Sequence, residues 1–210
     1  MKYKHLIFDF DGVLAETNTI RFEGFRKLFH DYPVEPVDKL VAYAKANGGV
    51  SRYRKIEYFF QEILGKAISR QKVNELADIY STIVKQQVID SVAVEGSLEF
   101  LEKYFRKYDM AIVSGSDQEE LREVCKEKKI DHYFSFILGS PTDKKINLSQ
   151  LLREQSWEKD KTLYIGDSNN DLDAAKTNGI HFIARNSGIF NWENTDEICI
   201  PDLHSLAKHL

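Results

Sequence analysis

Two cysteines in 210 residues, Cys125 and Cys199, are too few and too far apart for a disulfide framework. Neither belongs to a C-x-x-C, and no histidine spacing beside them suggests zinc, so both read as reduced, packed thiols of a cytosolic protein. Excess charge of one sign is missing too. The formal −4 is the small difference between 33 acidic and 29 basic residues, which argues against a nucleic-acid patch or an anchor on an anionic membrane. The run KEKK at 126–129 is short and reads as a solvated helix end. Nowhere do 18 apolar residues run together, and MKYKHLIFDFDG lacks the apolar segment of a secretory signal. The expectation is a cytoplasmic protein with no membrane and no nucleic-acid partner. Six histidines occur without H-E-x-x-H or a neighbouring Ser or Cys nucleophile. There is no internal repeat and no low-complexity segment.

What is present is a 42% hydrophobic, 12% aromatic chain, long enough to bury a real core. From about 20 to 90 the apolar residues recur at three and four: Phe22, Phe25, Phe29; then Val37, Leu40, Val41, Ala44; then Ile56, Phe59, Phe60, Ile63; then Val73, Ala77, Tyr80, Val84. That predicts four helices and no strand. Ser51 and Ser69 stand where N-caps are expected for the third and fourth, and Asn47-Gly48-Gly49 breaks the second from the third.

From about 91 onward short apolar runs alternate with helical segments: MAIVSG (110–115), YFSFILG (133–139), TLYIGD (162–167), IHFIA (180–184) and EICI (197–200). Ser116 with Glu119 makes a candidate capping box, and Asn178-Gly179 a helix stop. Strand, helix, strand repetition implies parallel pairing through right-handed crossovers, an α/β fold with a three-layer, Rossmann-like parallel sheet. The first strand, YKHLIFDF, belongs to that sheet. Residues 1–16 and 91–210 are therefore expected to form a core domain, and 17–90 an inserted four-helix cap.

The stretch HLIFDFDGVLAET loads the exit of a greasy strand with two carboxylates, Asp9 and Asp11. Side chains alternate along an extended chain, so both point one way while Phe8 and Phe10 point the other. Two anions held together require positive charge, from a metal, a lysine or a shared proton. Asp167 and Asp171, in YIGDSNNDLDAA, end another strand and supply hard oxygen ligands suited to Mg²⁺. Lys144 follows GSPTD at the end of a third strand; Lys145 is adjacent, and only the register to Leu148 favours the former. Ser114-Gly115-Ser116 adds a hydroxyl and N–H groups at a helix entrance. An anion beside a metal beside a carboxylate suggests phosphate. Singly, Asp11-Gly12 reads as well as a tight turn, Asp171 as a first-turn helix residue and Ser114 as a cap; convergence at four strand ends makes the set informative.

Together these elements resemble the four motifs of the haloacid dehalogenase (HAD) superfamily: Asp-x-Asp-Gly-Val-Leu at Asp9–Leu14, a strand ending in Ser114, a lysine at Lys144, and Gly-Asp-x-x-x-Asp at Gly166–Asp171. The helical insertion is similar to the family's C1-type cap, and the likeness is greatest to its phosphoglycolate phosphatase and β-phosphoglucomutase branch. The resemblance implies Asp9 as nucleophile, forming an aspartyl phosphate, and Asp11 as general acid and base. It implies Mg²⁺ held by Asp9, the backbone carbonyl of Asp11 and Asp167, with Asp171 positioning water or Lys144. Ser114 and the Gly115 N–H would hold phosphate oxygens with Lys144. A second carboxylate at Asp11 argues against a dehalogenase. Gly49-Val50-Ser51-Arg52 resembles the loop with which mutases grip a second phosphate, but Arg52 reads equally as a solvated first-turn residue, and Arg21 stands where those enzymes carry a histidine. Glu95-Gly96 replaces the family's usual Pro-Gly. The expected activity is Mg²⁺-dependent hydrolysis of a small phosphorylated metabolite, with a phosphosugar mutase and a noncatalytic Mg²⁺-binding module as alternatives.

Overall fold

The computed structural model describes residues 2–193 and 195–210. Its centre is the apolar run His5–Phe8, which forms β1 because both of its faces find a greasy layer to cover them. Leu6 and Phe8 enter one apolar cluster, Ile7 the other. The alternation repeats in β2 (Asp109–Asp117), where Met110 and Ile112 face one layer and Ala111 and Val113 the opposite one. A strand buried on both sides is what a parallel sheet between two helical layers requires.

Beyond β2 come α6 (Gln118–Glu127), β3 (Phe136–Ser140), α7 (Lys144–Glu154), β4 (Thr162–Gly166), α8 (Asn169–Asn178), β5 (His181–Arg185) and the two-residue β6 (Cys199–Ile200). The strands join in the order β3-β2-β1-β4-β5-β6, every pair parallel, with β1 between β2 and β4. This is the expected three-layer α/β sheet. The order reverses at β1, so the crevice for ligands lies beyond its carboxyl end.

Between β1 and α5 (Ser97–Tyr104) the chain builds a helical block: α1 (Asn18–Leu28), α2 (Val34–Ala46), α3 (Arg52–Tyr58) and α4 (Arg70–Asp90). Its interior is aromatic. Phe29 stacks on Phe59 with ring centroids 4.1 Å apart, and Phe25 on Tyr80 at 4.6 Å. Ser51 and Ser69 cap α3 and α4, accepting hydrogen bonds from the backbone N–H of Arg54 and Lys72. The third helix runs on into a π-helical turn, Phe59–Ile63, which the apolar spacing does not distinguish from continued helix.

Three local readings are corrected. Ser116 does not cap α6; Asp117 does, accepting from the N–H of Glu120, because the Ser116 hydroxyl is drawn to Asp11 instead. In consequence Ser114-Gly115-Ser116 is the irregular end of β2, not a helix entrance. Cys125 is packed, with burial pushing its thiol up to about 12, but Cys199 is exposed at the sheet's edge. Among the described residues no helix is long and apolar enough to cross a membrane.

The α1–α4 contact depends on Gly24. A Cβ there would lie 2.5 Å from Val84 Cγ1 and 2.9 Å from the Tyr80 ring. Gly24→Ala is expected to lower stability by about 1–3 kcal/mol despite alanine's better helix propensity, seen as a lower urea midpoint at unchanged slope.

Candidate active site

The four motifs meet because four chain segments end at one rim of the sheet. Asp9 and Asp11 follow β1 directly, Ser114 lies where the register of β2 breaks near its end, Lys144 opens α7 after β3, and Asp167 follows β4. Asp9, Asp11, Ser114, Gly115 and Asp167 line one cavity, roofed by Arg21, Arg52 and Lys55 of the helical block. Gly48 and Gly49 bring that roof down: a Cβ on Gly115 would stand 2.0 Å from the Gly49 carbonyl oxygen. The space left is only about 50 Å³.

Lys144 is 3% exposed and donates to Asp9 Oδ2 at 3.0 Å and to Asp171 Oδ1. Burial opposes its charge, but the two carboxylates outweigh that and hold its pKa above the ordinary lysine value. The adjacent Lys145 faces outward to Asp173. Asp171 is fully buried as the N3 partner of a capping box with Ser168. Its Oδ2 accepts from the Ser168 hydroxyl (2.6 Å), the Ser168 N–H (3.0 Å) and the Asp167 N–H (3.2 Å), while Oδ1 takes Lys144 and lies 2.9 Å from the Tyr164 hydroxyl. Both oxygens are thus committed to protein donors.

Asp9 and Asp167 receive fewer donors. Asp9 Oδ1 accepts from the Phe10 N–H at 2.7 Å, and Asp167 Oδ2 from Asn18 Nδ2 at 2.7 Å. Burial pushes both carboxyls up to about 7, with Asp171 adding repulsion to each. Carboxylate oxygens of Asp9, Asp167 and Asp171 lie within 4.8 Å of one another. Three buried acids against one ammonium leave an excess of hard negative charge, and a hard divalent cation fits that donor set.

Asp11 has the opposite poise. Burial alone would raise it, but Arg21 Nε (2.9 Å) and the hydroxyls of Ser116 and Thr17 (each 2.5 Å) hold its pKa below the usual carboxylate range. Arg21 continues to Glu120 of α6, which also takes both terminal nitrogens of Arg52, at 2.7 and 2.9 Å. Arg52 is 5% exposed, so it is not a solvated first-turn residue. Lys55 is 7% exposed and lines the cavity, and its ammonium makes no hydrogen bond or ion pair with the described residues.

Thr17, Asn18, Lys55, Glu120 and Tyr164 were absent from the sequence-level set, and Arg21 was noted there only as a substitution for histidine. Lys55 and Glu120 stand four residues before Phe59 and Val124, on the buried faces of their helices, and that spacing is the signal that could have found them where their charge alone reads as solvated.

A model of the haloacid dehalogenase-like hydrolases matches residues 6–185, spanning the four strand ends. The chain belongs to that family. Among curated hydrolases of this kind, it is 26% identical over 195 residues to a phosphoglycolate phosphatase of Aliivibrio fischeri, covering 88% of this chain and 85% of that protein. Solved structures share its fold. A predicted phosphatase from Clostridium acetobutylicum superposes with a TM-score of 0.79 at 16% identity, over 100% of this chain and 98% of the other. A β-phosphoglucomutase from Clostridium difficile gives 0.75 at 17%, over 97% and 93%.

An uncompensated buried ammonium costs stability. Burial lowers Lys55 from 10.5 to about 8, against the pull of Asp11. Lys55→Met is expected to stabilise the fold at pH 7 by on the order of 1–3 kcal/mol. Between pH 8 and 10.5 the unfolded lysine keeps a proton that the folded one has shed, so wild-type stability rises through that window. The gap between variant and wild type should therefore close as pH rises, in thermal melts across that range. A variant less stable at pH 7 would contradict the account.

Proposed function

We propose that the chain is a Mg²⁺-dependent phosphatase that hydrolyses a small phosphorylated metabolite through a phosphoaspartate on Asp9. The observation that carries this is the fixed Asp9–Lys144–Asp171 chain, with Asp9 in the wall of the cavity beneath the helical block. An ammonium anchored from behind keeps one Asp9 oxygen oriented, and the same positive charge faces an arriving phosphate. The curated phosphatase relative supports a small monoester as substrate. We further propose residues 17–90 as a cap over a core of 1–16 and 91–210. A cavity of about 50 Å³ admits substrate only if this block lifts, and its return excludes water.

In the first half-reaction an Asp9 oxygen attacks phosphorus; an O–P bond forms and the ester P–O bond breaks, the leaving alkoxide taking a proton from Asp11. In the second, water attacks phosphorus, the Asp9–phosphorus bond breaks, and the water proton goes to Asp11. Held ionised by Arg21, Thr17 and Ser116, Asp11 is set for this second step. The proton for the first would be taken up while the block is lifted and Arg21, which rides on α1, is away, and the return of Arg21 would favour its release to the leaving alkoxide. Ser114 and the Gly115 N–H are proposed to hold nonbridging oxygens. Asp9, the Asp11 carbonyl and Asp167 would hold Mg²⁺, which supplies positive charge to the phosphoryl group when bound. Asp171, with both oxygens occupied, acts through Lys144. The mutase alternative needs Arg52 free for a second phosphate, and Glu120 holds it. The noncatalytic alternative loses appeal because every group of the proposed chemistry is present.

Para-nitrophenyl phosphate hydrolysis with Mg²⁺ is expected to vanish in Asp9→Asn, to fall about a hundredfold or more in Lys144→Ala, and to stay near wild type in Lys145→Ala. Undiminished turnover in Asp9→Asn would refute the mechanism. A second prediction concerns the metal. With carboxyls raised to about 7, the metal-free fold holds protons that the unfolded chain has lost above pH 4, so its stability declines from about pH 4 to 7. Mg²⁺ should raise the thermal midpoint at pH 7.5 and do little at pH 5; equal shifts at both pH values would count against Asp9 and Asp167 as ligands.

A further inference from the structure

Lys55 burdens the fold with a buried charge, and no contact offsets it. It stands on α3 three residues after Arg52, on the same buried face. Of the three cations that the block brings to the cavity, Arg21 is taken by Asp11 and Glu120, and Arg52 by Glu120 and Ser81. The Lys55 ammonium alone has no hydrogen bond or ion pair among the described residues, so its charge is available to whatever occupies the cavity. In-line displacement fixes where that charge would act. The attacking Asp9 oxygen and the leaving oxygen stand on opposite sides of phosphorus, so the leaving group departs away from the strand end that carries Asp9. Asp11 must reach that same oxygen to protonate it, and Asp11 is also the carboxylate that pulls most strongly on Lys55, ahead of Asp9. The nonbridging oxygens have Ser114, the Gly115 N–H and Lys144 assigned to them, whereas the leaving oxygen has only Asp11.

We propose that Lys55 is a further catalytic residue: with the block down, its ammonium donates a hydrogen bond to the leaving oxygen and stabilises the negative charge that develops there. The role rests on the phosphatase reading. As the ester P–O bond breaks, its electron pair passes to the leaving oxygen and the proton comes from Asp11, while Lys55 keeps its own protons. Lys55 belongs to α3, so this charge reaches the leaving group only when the block is closed, which ties closure to bond cleavage. An alkoxide is a poorer leaving group than an acidic phenolate and gains more from the ammonium, so the site suits alkyl monoesters.

The test is kcat/KM, with Mg²⁺ present, across aryl monoesters of graded leaving-group acidity, from para-nitrophenyl to phenyl phosphate. This parameter reports the half-reaction in which the phenolate departs. Lys55→Met is expected to lose less than about threefold on para-nitrophenyl phosphate and about a hundredfold on phenyl phosphate. Lys55→Gln, which keeps a neutral donor, should show the same tilt to a smaller extent. Because the methionine variant is expected to melt higher than wild type at pH 7, misfolding would not account for its loss. Equal losses on every ester, or none, in either folded variant overturn the role while wild-type turnover leaves the phosphatase reading standing. A wild type that hydrolyses none of the esters refutes that reading and removes the role with it.

Discussion

The buried contact of Lys144 with Asp9 and Asp171 is the constraint on which the site's organisation depends. It links three segments distant in sequence: the exit of β1, the start of α7 and the first turn of α8. Burying these ions is expensive and their attraction only partly offsets it, so such a contact persists where each charge is also hydrogen-bonded. Asp171 meets that condition through Ser168, Tyr164 and the Asp167 N–H. Asp9 meets it less completely, with one backbone donor beside the lysine. On the proposed chemistry the asymmetry would divide anchor from reactive group: the carboxylate with more donors would position, and the one with fewer would keep lone pairs for phosphorus.

A second chain of charges runs across the cavity instead of beneath it. Asp11, Arg21, Glu120 and Arg52 alternate in sign, with the acids on the sheet side and the arginines on the helical block. Removing one member would leave its neighbour buried and uncompensated, so the four charges depend on one another. The cavity's small volume has the same origin, since glycines at 48, 49 and 115 permit backbone contact where side chains would hold the layers apart.

Much of this was legible in the sequence. Asp9, Asp11, Ser114, Lys144 and Asp167 stand where strands exit, and a parallel sheet gathers strand exits on one rim whatever the rest of the chain does. The helical block followed from apolar spacing, and its caps from Ser51 and Ser69. Legibility ended where a residue's surroundings come from another layer. Glu120 lies in QEELREVCKEKK, a segment whose charges belong on a wet face, and its burial comes with α4 packed on α6 and with Arg21 of α1 and Arg52 of α3 reaching it. Ser116 failed as a cap for a related reason. A backbone N–H that would donate to the side chain and a carboxylate that accepts from it compete for a short polar residue near a helix start, and local spacing cannot show that a carboxylate 105 residues away takes this hydroxyl.

Arg21 connects the two charge chains, and this bears on how the acid and base halves of a hydrolysis can share one carboxylate. With the block down, a guanidinium and two hydroxyls favour ionised Asp11, which suits a base and obstructs an acid. On the proposed mechanism, raising the block would carry Arg21 and Thr17 away from Asp11 and leave the Ser116 hydroxyl beside it, so that a proton would be held more readily. A proton taken up with the block raised would then be released as closure returns the guanidinium, which would link block position to proton affinity. The Lys144 contact includes no residue of 17–90, so on the same mechanism the nucleophile's aim would be independent of the state of the roof.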